Sequence, residues 1–328
     1  MSIEYDAAGN VSKQTAGNGQ AHNYGYDLAG NVISYSSPGV GSTSFEYGPE
    51  SLSKFTDFKG LNTTYQTDKL TGQVESITSP DTGTTSFTYD QAGNVTSALT
   101  PAGITFNFTY DALNRPVSAS FGDESISYSY YSYGSAKGEL ASIQDSSGST
   151  GFNYNVQGLP LSKTQTTTGA GGGAGASLGY LKTWSAGQLS TLRYPSGKTI
   201  SYTYDAERIT SISLNGAVIV SNITYSANGA PISWQMGSTG TYSRAYDSYG
   251  RIVSYSIDGA AKAVAWDENN RVSSIDYSTG TSSFGYDAAD RLTSASGGPH
   301  AGAGYAYDAN GNKTSIAVGG ANYGATVD

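Results

Sequence analysis

The sequence has no cysteine, few charged residues and no long apolar run. Without cysteine there is no disulfide framework and no thiolate metal site, so strand pairing and packing must hold the fold. The 17 lysines and arginines are scattered singly under a formal net charge of -9, so no basic stripe neutralises phosphates and no nucleic-acid partner is predicted. No stretch approaches the length of a membrane span, and the N-terminus lacks the pattern of a signal peptide.

The chain is instead rich in glycine and tyrosine, with 43 and 27 residues of each among 328. Disordered chains also carry many small polar residues, but they are poor in aromatic side chains. Here aromatic residues make up 12% of the sequence and are spread evenly along it. We therefore predict a folded chain.

One heptapeptide recurs, as the near-identical segments Tyr5–Val11, Tyr26–Val32 and Tyr89–Val95 demonstrate. Degenerate copies are predicted at Tyr47, Tyr65, Tyr133, Tyr154, Trp184 and Tyr225. Copies follow one another at about 21 residues, so about fifteen units tile the chain, and a fixed period of this length is typical of repeat architectures. The predicted structural anchors are Tyr5, Asp6, Tyr26, Asp27, Tyr89, Asp90, Tyr110, Asp111, Tyr204, Asp205, Tyr246, Asp247, Trp266, Asp267, Tyr286, Asp287, Tyr307 and Asp308.

Each unit predicts a β-hairpin. Apolar residues alternate with polar ones before the Tyr-Asp pair, which favours a half-buried strand. The Asp can accept backbone N–H bonds across a tight turn, and Gly or Asn three residues later tolerates positive φ. Val or Ile then starts a second strand, with a bulge near the turn because strict alternation breaks there. The predicted turn glycines are Gly9, Gly30, Gly93, Gly250 and Gly311.

The predicted fold class is all-β, because no segment keeps a helical apolar period. A single hairpin is marginal in water, whereas hairpins joined side by side form a continuous antiparallel sheet stabilised by aromatic cross-strand pairs. We predict one domain over residues 1–328. The step from Tyr154 to Trp184 is too long and contains a glycine-rich run, which predicts an inserted loop at about 166–179.

Three short patterns suggest chemistry but have simpler explanations. Ser177 lies in a Gly-x-Ser-x-Gly pattern, yet no helix is predicted after it, and His22 and His300 are the only histidines. Gly197–Thr199 matches the end of a phosphate-binding loop, but Leu192 replaces its first glycine. Asp308–Asn312 has oxygen ligands at alternate positions, yet it lacks the later Glu of a calcium loop. No catalytic residue, cofactor or metal site is predicted.

The repeat resembles the Rhs/YD-repeat family, whose unit is Tyr-Asp-x-x-Gly-Arg/Asn-Val/Leu. Members include insecticidal toxin-complex shell proteins, Rhs toxins and teneurins, and the resemblance covers the whole chain. It implies one long sheet that spirals around a hollow interior, and repeats that are structural. The sequence lacks the self-cleavage motif and toxin domain of toxin-type members, and both ends fall inside repeats. We therefore expect a longer parent chain or pairing with further copies through strand edges.

Three functions remain open from the sequence. The first is part of a bacterial, secreted or surface shell that encloses a cargo polypeptide such as a toxin. The second is an extracellular filament built by strand-edge pairing. The third is a module that binds a glycan or receptor through exposed tyrosines.

Overall fold

The computed structural model describes residues 1–49, 51–169, 174–298 and 302–324. Within these residues the chain forms 31 β-strands and no α-helix. The strands belong to one sheet and pair antiparallel with their neighbours in sequence. The predicted all-β fold class is therefore confirmed.

The chain divides into two compact units. Unit 1 comprises residues 1–84 and 244–328, and unit 2 comprises residues 85–243. The first segment of unit 1 contains β1 (Ser2–Tyr5), β2 (Val11–Thr15), β3 (Ala21–Tyr26), β4 (Val32–Ser37), β5 (Gly41–Tyr47), β6 (Leu52–Thr56), β7 (Asn62–Thr67) and β8 (Val74–Ser79), and β9 (Gly83–Tyr89) begins there.

The strands of unit 2 follow in chain order. They are β10 (Val95–Leu99), β11 (Thr105–Tyr110), β12 (Pro116–Phe121), β13 (Glu124–Tyr130), β14 (Leu140–Asp145), β15 (Gly148–Tyr154), β16 (Pro160–Thr168), β17 (Ala174–Ser185), β18 (Gln188–Arg193), β19 (Thr199–Asp205), β20 (Arg208–Leu214), β21 (Ala217–Tyr225), β22 (Pro231–Met236) and most of β23 (Gly240–Tyr246).

The second segment of unit 1 completes the set. It holds β24 (Ile252–Ile257), β25 (Ala260–Trp266), β26 (Val272–Tyr277), β27 (Gly280–Tyr286), β28 (Leu292–Ser296), β29 (Ala303–Tyr307), β30 (Lys313–Val318) and β31 (Ala321–Gly324).

Each repeat contributes two strands and two kinds of turn. We call the turn after an anchor residue the YD turn, and the turn that leads to the next repeat the connection turn. In the hairpin of β3 and β4, Gly25 pairs with Ser34 and Tyr26 with Val32, so Ile33 is an extra residue. The same one-residue shift recurs beside the anchors of other repeats. The predicted bulge is thus present, and it bends the chain into the YD turn.

The sheet has almost no enclosed core. Among the described residues, only Ala136 and Ala295 are buried hydrophobic residues. Strands alternate instead between half-buried and exposed positions, as in β9, where Phe87 and Tyr89 are half-buried and Thr88 is exposed. Stability must therefore come from contacts along the sheet rather than from a second layer packed on it.

The two faces of the sheet carry different cross-strand contacts. On the aromatic face, paired rings lie 4.1 to 6.1 Å apart between centroids, as for Phe106 and Phe121 at 5.3 Å. On the exposed face, hydroxyl groups bond across the hairpin, as for Thr109 and Ser118 at 2.6 Å. These two contacts join the strands of one repeat, and the stacking of Trp234 on Tyr242 across β22 and β23 joins strands of successive repeats.

The glycine-rich insertion differs from the sequence-based expectation of a loop at about 166–179. Strand β16 runs to Thr168 and β17 starts at Ala174, and Gln165 pairs with Leu178. Residues 170–173 lie outside the described residues. The threonine-rich and apolar flanks have good strand propensity, so most of the extra residues lengthen this hairpin.

Candidate functional site

The YD turn is closed by its own hydrogen bonds, as the turn at Asp27 illustrates. The Asp27 N–H donates to the Asn31 carbonyl at 3.0 Å, and the Gly30 N–H donates to the Asp27 carbonyl at 3.1 Å. The Asp27 carboxylate accepts the N–H groups of Ala29 and Asn31, both at 2.9 Å. Its second oxygen accepts from Asn31 Nδ2 at 3.0 Å. These bonds satisfy the polar groups of the turn and fix its shape.

The third residue after the Asp has a left-handed backbone. Gly30 has a φ of 86°, and Asn114, Asn270 and Asp290 stand at the same position with φ between 59° and 63°. Glycine adopts this conformation freely, and Asn and Asp tolerate it better than other residues. The five sequence-predicted turn glycines all lie at this position with positive φ: Gly9, Gly30, Gly93, Gly250 and Gly311.

These hydrogen bonds favour the ionised carboxylates. The Asn31 side-chain amide, its backbone N–H and the other turn amides hold the pKa of Asp27 below its ordinary 3.8. At Asp287 burial acts to raise the pKa, but bonds from Arg291 and the backbone outweigh it, and the pKa is lowered. No cluster of three or more metal-binding side chains occurs in the described part of the chain. The carboxylates are already engaged by their own turns.

The anchor side chains hold each repeat to the one before. The Tyr26 hydroxyl donates to the Val11 carbonyl at 2.9 Å, fifteen residues earlier. Tryptophan does the same through its indole N–H, as from Trp266 to the Ile252 carbonyl at 2.9 Å. Corresponding bonds are made by Tyr47, Tyr110, Tyr130, Tyr154, Trp184, Tyr204, Tyr225, Tyr286 and Tyr307. The shared feature is a long aromatic side chain with a donor at its tip.

Arginine links successive YD turns in four repeats, a role that the sequence reasoning missed. Arg271 Nε lies 2.7 Å from Asp267 Oδ2, and its Nη1 lies 2.5 Å from Asp290 Oδ1 in the next turn. Its guanidinium also lies 4.5 Å from the centre of the Tyr286 ring. Such stacking adds to the ion pair. The residues concerned are Arg115, Arg251, Arg271 and Arg291, each four residues after the turn Asp.

The remaining predicted anchors lie at the ends of strands. Tyr5, Tyr89 and Tyr246 end β1, β9 and β23. Asp6, Asp90, Asp111, Asp247, Asp267 and Asp308 accept bonds within their YD turns as Asp27 does. Asp205 differs, because it pairs with Arg208 at the end of β19 and a two-residue turn replaces the longer one.

Two degenerate anchors are displaced from the positions that the sequence predicts. Tyr65 lies inside β7, and Thr67 takes the anchor position at the register shift before the turn. Tyr133 lies 80% exposed in a turn, whereas Tyr130 ends β13 and donates to the Pro116 carbonyl. At Tyr65 the prediction missed the anchor because a threonine stands there instead of an aromatic residue. At Tyr133 the turn is longer and itself contains tyrosines, so the sequence pattern did not identify Tyr130 as the anchor.

The other sequence candidates form no catalytic constellation in the described residues. Ser177 lies on β17 with its hydroxyl 3.3 Å from that of Thr166. His22 stacks on Tyr35 and its Nδ1 lies 2.8 Å from the tyrosine hydroxyl. His300 lies outside the described residues. Lys198 closes an ordinary turn, in which its carbonyl accepts the Tyr194 N–H at 2.8 Å.

The groove beside Ser177 is open and polar. One cavity of about 440 Å³ in unit 2 is lined by Tyr180, Arg193, Tyr194 and hydroxyl groups that include Ser177. Asp308 accepts from Asn312 and pairs with Lys59, so its carboxylate is engaged as a turn cap. Across the described ranges there is no helix of the length and apolarity needed to cross a membrane.

Comparison with known proteins agrees with these repeats. A Teneurin YD-shell family model matches residues 1–119, and an RHS Repeat model matches residues 266–298. A comparison with curated proteins finds no significant match.

Solved structures share the fold at low sequence identity. The Photorhabdus luminescens Tc holotoxin pore has a chain with a TM-score of 0.76 and 18% identity, and the match covers 98% of this chain and 22% of that one. A TcdB2-TccC3 crystal structure gives a TM-score of 0.66 at 16% identity, over 96% of this chain and 23% of that one. This sequence therefore spans under a quarter of the length of the chains it matches. The resemblance inferred from the sequence is confirmed: models of the YD-shell and RHS repeats match parts of the chain, and its fold is that of the matched Tc toxin chains.

Proposed function

We propose that the chain is a non-catalytic wall of a hollow β-shell that encloses or scaffolds a cargo polypeptide such as a toxin. The observation that carries this proposal is the use of the repeated residues. The aromatic tips, the turn carboxylates and the arginines all bond to their own or the neighbouring repeat. A wall needs side chains that bond one repeat to the next, and the repeated side chains do this. An enzyme needs instead one site at which several reactive side chains converge.

The thinness of the sheet also supports a wall. A single sheet with almost no buried side chains covers a large area for its mass, and an enclosure needs area. The similarity to Tc holotoxin and TcdB2-TccC3 chains adds the matching fold. By the family resemblance, the partners are further repeats of a longer chain and an enclosed polypeptide, and the setting is a secreted or surface protein of a bacterium.

Protease protection of an attached cargo tests this proposal. The chain is expressed with a destabilised reporter domain fused after Asp328, and cleavage of the reporter is followed by gel electrophoresis. An equimolar mixture of the separate chain and reporter is the matched control. We expect slower cleavage only in the fusion, because the wall excludes the protease. Equal cleavage rates in the fusion and the mixture would count against enclosure.

A glycan-binding role is the second candidate, favoured by the cavity beside Tyr194. This side chain is 43% exposed and lies with Arg193 and Tyr180 around the open groove of about 440 Å³. An exposed aromatic ring beside hydrogen-bond donors suits a sugar ring. A glycan array with the chain and its Tyr194→Ala variant tests it: saturable binding lost in the variant is expected, and no binding by the chain would rule it out.

A further inference from the structure

The repeat formed by β7 and β8 lacks an aromatic anchor. In eleven other repeats the tip of a Tyr or Trp donates to a backbone carbonyl at the start of the second strand of the previous repeat. Here Thr67 stands at the anchor position, where it pairs with Val74 at the register shift before the turn. This repeat therefore has neither the ring nor the long donor that the other anchors supply.

The carbonyl that an anchor at this position would reach is that of Leu52. Leu52 begins β6 and lies fifteen residues before Thr67. Val11 likewise begins β2 and lies fifteen residues before Tyr26, from which its carbonyl accepts a bond. The Thr67 hydroxyl bonds instead to Ser51 Oγ at 2.9 Å, and no side chain in the described residues donates to the Leu52 carbonyl.

A cavity lies where the anchor ring is missing. Its volume is about 240 Å³, and its lining includes Leu52, Ser53, Tyr65 and Thr67. Leu52 and Tyr65 are half-buried and give the cavity apolar surface. An apolar cavity of about 150 Å³ is large enough to bind benzene. The space therefore admits one aromatic ring beside the acceptor that an anchor would use.

The cavity is a consequence of the residue at position 67. The strands on its two sides, β6 and β7, pair directly with each other, with Lys54 opposite Thr64 and Thr56 opposite Asn62. Both neighbouring hairpins are thus in place. The space exists because threonine is shorter than tyrosine by a whole ring.

The lining of the cavity also contains a cation. Lys69 contributes to this lining, and its ammonium group forms no ion pair among the described residues. In another repeat a cation lies on the anchor ring itself, since the Arg115 guanidinium is 4.1 Å from the centre of the Tyr130 ring. A cation favours an electron-rich ring beside it, and a phenol has such a ring.

We propose that this cavity is a binding site for a phenol group, carried either by a small molecule or by a tyrosine side chain of another polypeptide. The ring packs against Leu52 and Tyr65, and the hydroxyl donates to the Leu52 carbonyl as Tyr26 donates to Val11. The ligand thus supplies the part of the anchor that Thr67 lacks.

Nuclear magnetic resonance of the full chain with isotope-labelled leucine methyl groups tests this site. Titration with 4-methylphenol is expected to shift the Leu52 methyl signals in a saturable way, with a roughly millimolar dissociation constant. Leu292 is the matched internal control, because its carbonyl already accepts the Tyr307 hydroxyl, and its signals are expected to stay in place. Toluene has no hydroxyl and is expected to bind roughly fivefold more weakly.

Thr67→Tyr fills the cavity from within the chain. It is expected to abolish the shift at Leu52 and to raise the melting temperature, whereas Thr67→Ser leaves the space open and is expected to bind as the wild type does. N-acetyltyrosine amide distinguishes the two sources. Binding as tight as that of 4-methylphenol supports a tyrosine of a polypeptide, and binding of 4-methylphenol alone supports a small phenol.

Three results would overturn the proposal. The first is the absence of a saturable shift at Leu52 in the wild-type chain. The second is an equal shift at Leu292, which would indicate contact without a defined site. The third is an unchanged shift at Leu52 in a folded Thr67→Tyr variant. The first two need only the wild-type chain, so they decide the matter even where the variant does not fold.

Discussion

At the residue scale, the tip of the anchor side chain is the group that joins repeats. The Tyr110 hydroxyl donates to the Val95 carbonyl at 3.0 Å. Tyr110→Phe keeps the ring and removes this donor, and we expect it to lower the free energy of unfolding by about 1 kcal/mol. Chemical denaturation measures the change. Tyr133→Phe is the control, because Tyr133 is exposed in a turn and is expected to show no change; equal losses would contradict the assigned bond.

Turn glycines are a second test at this scale. Gly30 has a φ of 86°, and a Cβ there would meet no atom within 4 Å, so only backbone strain opposes a side chain. We expect Gly30→Ala to lower the free energy of unfolding by about 1 kcal/mol. Gly151→Ala, at a strand position that is equally open and has no positive φ, is expected to be neutral or slightly stabilising. Thermal unfolding of both variants separates strain from contact, and a loss at Gly151 as large as at Gly30 would refute this explanation.

Some of these residue roles can be read from sequence and others cannot. The Asp and Gly of the YD turn follow local rules of turn chemistry, so Asp27 and Gly30 are predictable. The Tyr26 bond to Val11 spans fifteen residues, and alternation predicts which face the ring takes but not the acceptor of its hydroxyl. Arg271 bridges two turns, and its presence four residues after Asp267 was the signal that could have revealed it.

At the element scale, the YD turn links stability to pH. Side-chain and backbone hydrogen bonds lower the pKa of Asp27 and Asp90 below 3.8, so the folded state holds these carboxylates ionised where the unfolded chain protonates. The ionised carboxylates therefore stabilise the folded state above pH 3.8, and this stabilisation is lost as the pH falls below that value. Burial raises the pKa of Tyr154 and Tyr286 above 10.0. The stabilisation from these neutral tyrosines is therefore present below pH 10.0 and is lost as the pH rises further.

Melting temperature against pH, followed by circular dichroism, checks this prediction. We expect a plateau between the two limits and a fall on either side of it. Asp27→Asn is expected to lower the melting temperature at neutral pH and to weaken its fall at acid pH, since the amide keeps one acceptor oxygen but has no carboxylate to protonate. A melting temperature that stays constant from neutral pH down to about pH 2 would contradict a role for ionised turn carboxylates.

Hairpins were the best-predicted elements, and the errors have physical causes. Period-two alternation located the strands, and the break in alternation located the bulge at Tyr26 and Val32. The prediction failed at Tyr65, because Thr67 preserves the turn without an aromatic residue. It also placed a loop at about 166–179, where β16 and β17 extend their pairing because composition alone does not reveal strand propensity in a glycine-rich neighbourhood.

At the scale of the whole molecule, the contacts between distant turns within unit 1 could not be foreseen. Nothing local marks Gly17 as a partner of Glu268, since the two residues lie far apart in the sequence. The repeat period predicts which residues each turn presents, but it does not predict which two turns, about 250 residues apart, come into contact. The proposed wall function also belongs to the scale of the whole molecule, because it depends on many repeats joined into one sheet and on no single residue.

Neutron scattering with contrast variation tests the central claim most directly. The chain is joined to a deuterated cargo polypeptide, and the distance between the centres of mass of wall and cargo is extracted from the contrast series. Enclosure predicts coincident centres and a radius of gyration for the cargo that is smaller than that of the wall. A cargo centre displaced beyond the radius of gyration of the wall would contradict the account.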